Sequence, residues 1–385
     1  MSVSAPAGFR SAGIPVGLKT SGAPDLALVV NDGPYPASAA VFTRNRAQAN
    51  PILWSRKAVQ NGSARAIVLN SGGANCFTGE FGYETTRLTA EAVATALGET
   101  DAERVLVCST GLIGTGDQVF RDKIVNGVPA LVTALAADDS TAPAAILTTD
   151  SVEKTAEVRG DGWMIGAMAK GAGMLAPGLA TMLVVITTDA RLGADELDAA
   201  LRRATQVSFD RLDSDGCMST NDQVTLFASG ASGATPDLET FTAALIAVCN
   251  DLAGQLQADA EGASHNIDIE VRGAASEADA VEVGRSVARN NLFKTAIFGN
   301  DPNWGRVLAA IGTTEAAFDP YQVDVSFNGV RLCHAGGPDR PVDECDLTPR
   351  RTHVEIDLFA GEHAATIRTN DLTHDYVHEN SAYSS

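Results

Sequence analysis

The 385-residue chain lacks any cluster of Lys and Arg. It carries 28 basic residues against 48 acidic ones, a formal net charge of −20, so no basic face is on offer to nucleic acid. Cysteine is scarce: Cys76, Cys108, Cys217, Cys249, Cys333 and Cys345 are all there are, and no pair has CxxC spacing. That excludes a disulfide scaffold, and the six read as small buried residues. No secretory h-region opens the chain. The longest apolar run, 174–186, is interrupted by Pro177 and Gly178 and is too short to span a bilayer. The expectation is a cytoplasmic protein with no membrane association. There is no Gly-Lys-Ser/Thr phosphate loop, since Lys170 precedes its glycines. His374 and His378 have i, i+4 spacing without the Glu of HExxH, so no metal is expected and the six histidines read as surface or core residues. Internal repeats and low-complexity linkers are absent as well.

What is present is a soluble globular composition, 45% hydrophobic and 20% charged, with enough chain for two or three structural units. The acidic balance has a corollary. Substrates bearing carboxylates would need basic partners placed locally, because the overall field repels anions.

Short apolar strands alternate with amphipathic helices, which makes the class mixed α/β. Residues 66–69 read as a buried strand running into Asn70-Ser71-Gly72-Gly73, and 105–108 as another running into Ser109-Thr110-Gly111. A third covers 182–187. Strands that feed Gly-rich polar turns suggest functional loops at their ends. Leu238, Phe241, Leu245, Val248 and Leu252 form one helical stripe, and Leu197, Leu201 and Ala204 another. Ser276 with Asp279 resembles a capping box opening a helix to about Arg289. Beyond it, Val323/Val325/Phe327 and Val330/Leu332 alternate around Asn328-Gly329, a strong hairpin signal, and Val354/Ile356/Leu358 alternate too. These predict a core at 1–275 and a smaller C-terminal α/β unit at 276–385.

The most unusual stretch is 170–181, KGAGMLAPGLAT, rich in glycine and small residues and entering an apolar strand at Met182. If the bond before Thr181 were cut, Thr181 would gain a free α-amine beside its own hydroxyl. That amine has an unperturbed pKa of about 7.7–8 and can act as general base for the neighbouring oxygen. The cut itself could run by attack of the Thr181 oxygen on the Ala180 carbonyl. The plainer reading is a Gly-rich loop that caps a strand.

This stretch resembles the self-processing site of the ornithine acetyltransferase (ArgJ) family, whose motif is K-G-x-G-M-x-x-P-x-x-A-T-M-L. The resemblance runs along nearly the whole chain: Ser109-Thr110-Gly111-Leu112-Ile113-Gly114, Thr148-Thr149-Asp150, Ser219-Thr220-Asn221-Asp222, Glu261-Gly262-Ala263, 294–299 (KTAIFG), 301–306 (DPNWGR) and Asp371-Leu372-Thr373 follow in order. It implies an αββα-type sandwich of the self-processing aminopeptidase and ornithine acetyltransferase group, with the smaller C-terminal domain. It implies self-cleavage into 1–180 and 181–385, assembled as two alpha and two beta chains. The implied activity is ping-pong transfer of acetyl from N2-acetyl-L-ornithine to L-glutamate through acetyl-Thr181, in cyclic arginine biosynthesis. Thr110 and Gly111 would form the oxyanion hole. Thr148, Thr149, Lys170, Glu261, Asn380 and Ser385 would join Thr181 in binding substrate, Lys170 facing the α-carboxylate and Glu261 the ornithine ammonium. No cofactor is implied, and acetyl-CoA stays open as a co-substrate. Each residue has a plainer alternative: a turn, a surface lysine, a helix-end carboxylate, a frayed tail. Gly73 stands where the family usually has Asn, Cys217-Met218 where it has Asp-Thr, and His265 where Lys is common. The competing activities are an N-terminal-nucleophile aminopeptidase or amidase, with water as acceptor, and a non-enzymatic binding protein of the same fold.

Overall fold

The computed structural model describes residues 3–176 and 182–382. Ala180, Thr181 and Ser385, and with them the expected scission point, lie outside the described residues.

Three sheets organise the described chain. The first, in spatial order, comprises β1 (Phe9–Ile14), β2 (Leu26–Asn31), β4 (Ala66–Ser71) and β5 (Val105–Thr110). The second runs β3 (Ala37–Phe42), β9 (Gln223–Ala228), β8 (Leu183–Thr188), β7 (Met164–Lys170) and β6 (Lys154–Arg159). Within these two sheets two of the strand pairings are parallel, β4 with β5 and β8 with β9. Both therefore deliver strand C-termini or N-termini side by side, and that matters below.

The layering follows from the two-residue period of a strand. In the second sheet Met168, Leu183, Val185 and Phe227 point into the core shared with the first sheet. Their neighbours Ala167, Ala169, Val184, Ile186, Leu226 and Ala228 point the other way, into a core with α5 (Ala194–Gln206) and α6 (Leu238–Ala258). Four helices, α1 (Asn50–Ala58), α2 (Gly79–Leu97), α3 (Gln118–Thr133) and α4 (Ala142–Ala145), pack on the first sheet. Two sheets face each other between helical layers, an αββα sandwich. The stripes expected on α5 and α6 are buried, except that Leu238 at the first turn is exposed.

The third sheet belongs to the C-terminal unit: β13 (Gly337–Pro338), β12 (Val330–His334), β11 (Asp324–Phe327), β14 (Arg351–Asp357), β10 (Asn266–Ala274) and β15 (His363–Asn370). Its first strand precedes the boundary expected at 276. Ile267, Ile269 and Val271 alternate into the third core, so β10 already belongs to it. Against this sheet lie α7 (Glu277–Ala288), α8 (Asn291–Phe298) and α9 (Trp304–Ile311), and α10 (His374–Ala382) closes the described chain. Ser276 Oγ accepts the Asp279 N–H at 3.1 Å, the expected cap. Asn328 (φ 46°) and Gly329 (φ 82°) both adopt the left-handed conformation that a two-residue hairpin needs.

Of the cysteines, Cys76, Cys108, Cys249 and Cys333 are buried, but Cys217 is exposed and Cys345 half-buried. Cys217 sits in the Asp215–Met218 turn rather than on an element with a buried face, which is why composition alone misplaced it.

Candidate active site

The site is built where β5 and β7 end. Past Thr110 the chain turns at Gly111, whose φ of 131° is a conformation open essentially to glycine. A Cβ there would lie 2.6 Å from the Gly73 nitrogen. The two Gly-rich turns are thus in backbone contact: the Gly72 and Gly73 N–H groups both donate to the Thr110 carbonyl, at 2.9 and 3.0 Å. Asn221 buttresses the arrangement, its Nδ2 donating to the carbonyls of Ser109 (2.8 Å) and Ala74 (2.7 Å).

Lys170, the last residue of β7, is only 2% exposed. The surface-lysine alternative is therefore excluded. Its Nζ donates to Thr110 Oγ1 at 3.2 Å and lies 4.0 Å from Asp150 Oδ2. Burial pushes the ammonium pKa down, and Asp150 is the strongest influence that opposes this. Asp150 in turn accepts the Thr148 N–H (3.1 Å), the Gly171 N–H (2.6 Å) and the buried Lys154 ammonium (2.7 Å). Burial alone would push the Asp150 carboxyl up, but Lys170 and Lys154 overcome it and hold the pKa at about 2. Lys154 continues the chain of charges to Asp259 at 2.6 Å, two residues before Glu261, whose own N–H donates to Ala172 O at 3.0 Å.

The ends of the segment that carries Thr181 are pinned. On one side the Leu175 N–H donates to Asp215 Oδ2 (2.7 Å), and its carbonyl accepts from Ser214 and Asp215 (both 2.8 Å). On the other the Met182 N–H donates to Asp222 Oδ1 (3.1 Å), and the Met182 carbonyl accepts the Gln223 N–H (3.2 Å). Burial pushes the Asp222 carboxyl pKa well up, against the opposing pull of the Met182 N–H and of Lys170. Its Oδ2 has no partner among the described residues.

One cavity of about 540 Å³ gathers Thr110, Gly111, Thr148, Thr149, Lys170, Glu261 and Asn380, every expected site residue that is described. They come from chain positions 110 to 380 and meet only in the fold. Gly72, Leu112, Gly173 and Met174, from the turns and blocks the sequence singles out, line it too, and Leu18 to Ser21 complete its wall. Residues 18–21 carry no chemistry-bearing pattern, so nothing in the chain marked them. Asp150 was visible as part of the Thr148-Thr149-Asp150 block, but only the structure gives it partners. A second cavity of about 570 Å³ shares Thr149 and Glu261 and continues past Asp375 and Glu379. Among the described residues no three His, Cys, Asp or Glu side chains are grouped to hold a metal ion, and His374 and His378 are exposed on α10.

The departures from the family pattern have local accounts. A Cβ on Gly73 would come 2.9 Å from the Phe120 ring, so glycine here goes with Phe120. His265 is buried with Nδ1 at 2.9 Å from Asp371 Oδ2 and Nε2 at 2.9 Å from the Leu347 carbonyl, which ties the start of β10 to the end of β15. Cys217 and Met218 lie outside the cavity wall.

The model of the ArgJ family matches residues 10–385. The chain belongs to that family. Among its relatives, the arginine biosynthesis bifunctional protein ArgJ of Streptomyces avermitilis is 59% identical across the whole of both chains, and that of Mycobacterium leprae is 53% identical over all of this chain and 96% of its own. Among solved structures, ornithine acetyltransferase of Mycobacterium tuberculosis complexed with ornithine is 48% identical, at a TM-score of 0.44. It covers 47% of this chain and 96% of its own. Among the described residues no helix is long and apolar enough to cross a membrane.

Proposed function

We propose that the chain cleaves itself between Ala180 and Thr181 and then moves acetyl from N2-acetyl-L-ornithine to L-glutamate through acetyl-Thr181. As a member of the ArgJ family it is an acetyltransferase of arginine biosynthesis. The observation that carries the residue-level reading is the convergence of Thr110, Gly111, Lys170 and Glu261 on one cavity, beside a segment held on both flanks.

The steps follow from that arrangement. The Thr181 hydroxyl adds to the acetyl carbonyl carbon, and its proton passes to the freed α-amine. The adduct carries an oxyanion, which the Thr110 hydroxyl and Gly111 N–H receive. Such donors are worth about 2.7–4 kcal/mol each in the transition state. Collapse breaks the bond to N2 of ornithine, and the ammonium returns its proton to the leaving amine. The glutamate amine then adds to the ester, a proton leaves it by the same route, and the ester C–O bond breaks to restore Thr181. Glu261 pairs with the ornithine side-chain ammonium, while Thr148, Thr149, Asn380 and Ser385 bind the remainder. The Gly-lined pocket and C-terminal segment keep water from the ester. The processed chains stay together as two alpha and two beta chains in the cytoplasm.

Intact-mass analysis and N-terminal sequencing test the first step: a fragment beginning TMLVV is expected, and Thr181→Ala is expected to leave one uncut, inactive chain. Assays with acetylornithine plus glutamate, acetyl-CoA plus glutamate, and acetylornithine in water separate transferase, bifunctional and hydrolase activities. Hydrolysis matching transfer would overturn the reading.

A further inference from the structure

The Lys170 ammonium can only donate hydrogen bonds. At 3.2 Å from Thr110 Oγ1 it makes that oxygen an acceptor. The Thr110 proton must then point elsewhere, and among the described residues it meets no acceptor, while both residues border the cavity. A cation behind a hydroxyl also strengthens that hydroxyl as a donor. Behind the cation stands Asp150, whose four neighbours leave it little freedom: Thr148 N–H, Gly171 N–H, Lys154 and Lys170 itself.

We propose that Lys170 serves the reaction through the oxyanion hole, with Asp150 as the positioning residue: Asp150 fixes the Lys170 ammonium, Lys170 orients and polarises the Thr110 hydroxyl, and Thr110 delivers its proton's charge to the reacting oxygen. This rests on the acetyl-transfer reading above and differs from a role for Lys170 as the direct partner of the substrate carboxylate. The charges that face Lys170 set its behaviour with pH. Asp150, Asp222 and Glu261 favour the ammonium, while Lys154 and, from the 18–21 loop, Lys19 disfavour it. Removal of the Asp150 charge takes away the strongest favourable influence, so the Lys170 ammonium loses its proton at lower pH.

The test is a double-mutant cycle of Lys170→Met and Thr110→Val, with acetylornithine and glutamate, rates normalised to the cleaved fraction. Each single variant is expected to lower kcat about 10²–10³-fold, with KM changed only a few-fold. The double variant is expected to be no more than about threefold slower than Thr110→Val alone, since Lys170 acts through Thr110. Losses that multiply, or a raised KM with unchanged kcat in Lys170→Met, would overturn the proposal. Where a variant stays uncut, the same cycle is read on the rate of self-cleavage, which needs an oxyanion hole too. In Asp150→Asn the alkaline limb of the kcat profile should move down by about one pH unit or more. A limb that stays in place would also overturn it. Should that variant not fold, the cycle decides alone. Wild-type protein that fails to transfer acetyl would sink the underlying reading instead, a result distinct from either outcome of the cycle.

Discussion

Gly111→Ala puts the smallest side chain into the tightest backbone contact of the site. The residue sits at φ 131°, and a non-glycine residue held in such a region costs about 1–3 kcal/mol. The new Cβ would lie 2.6 Å from the Gly73 nitrogen and 3.0 Å from the Gly72 carbonyl carbon, well inside the about 3.5–4.0 Å of a relaxed contact. Both atoms are backbone, so no rotamer change relieves the overlap. The turn at 72–73 must move, and with it the two N–H groups that hold the Thr110 carbonyl. Overpacking of this kind costs about a further 1–3 kcal/mol, for a total on the order of 2–5 kcal/mol. That is a large share of the about 5–15 kcal/mol that a folded domain has to lose. The displaced hole should also lower kcat on the order of 10²-fold, the usual cost of roughly 1 Å of misplacement. Urea midpoints and steady-state acetyl transfer by the cleaved enzyme measure the two effects. A variant within threefold of wild type in kcat and unchanged in midpoint would refute the reasoning.

Gly173→Ala should behave differently. Its Cβ would meet the Glu261 carboxylate oxygens at 2.6 Å, and those are the free end of a flexible side chain. Stability should hold, while KM for acetylornithine rises about tenfold or more; an unchanged KM would separate Glu261 from the ornithine ammonium. The Asp150 carboxyl, held at about pH 2 in the fold, is near 3.9 when unfolded. Its stabilisation, on the order of 2 kcal/mol, is present above about pH 4 and is lost as pH falls toward 2. Acid unfolding of Asp150→Asn followed by circular dichroism should lack that part of the slope. A thiol reagent should modify Cys217 fast in the native protein. Cys108 and Cys249 should react only on unfolding, since both are buried and burial pushes both thiols up, that of Cys249 to about 12. Rapid loss of either would contradict the packed cores.

Much of the architecture was legible because it rests on local signals. The strands at 66–71, 105–110 and 183–188, the α5 and α6 stripes, the Ser276 cap and the Asn328-Gly329 turn are each written within a few neighbouring residues. β10 fell on the wrong side of the expected boundary because the Ser276 helix cap just after it reads as the start of the unit, although Ile267, Ile269 and Val271 alternate with Asp268, Glu270 and Arg272 as a strand does.

The 170–181 stretch from which Thr181 is proposed as nucleophile, the order of family blocks and the polar turns after β4 and β5 are properties of the chain as a string, since each depends on residues adjacent in sequence. Which charges share a cavity is not. Lys170 and Thr110 are separated by 60 residues, Lys154 and Asp259 by 105, and no periodicity links them. Whether Lys170 faced water or a carboxylate, and which way the Asp222 carboxyl shifted, was decided only when the sheets stacked and water left, because burial and a neighbour's field set a pKa and neither exists in an extended chain.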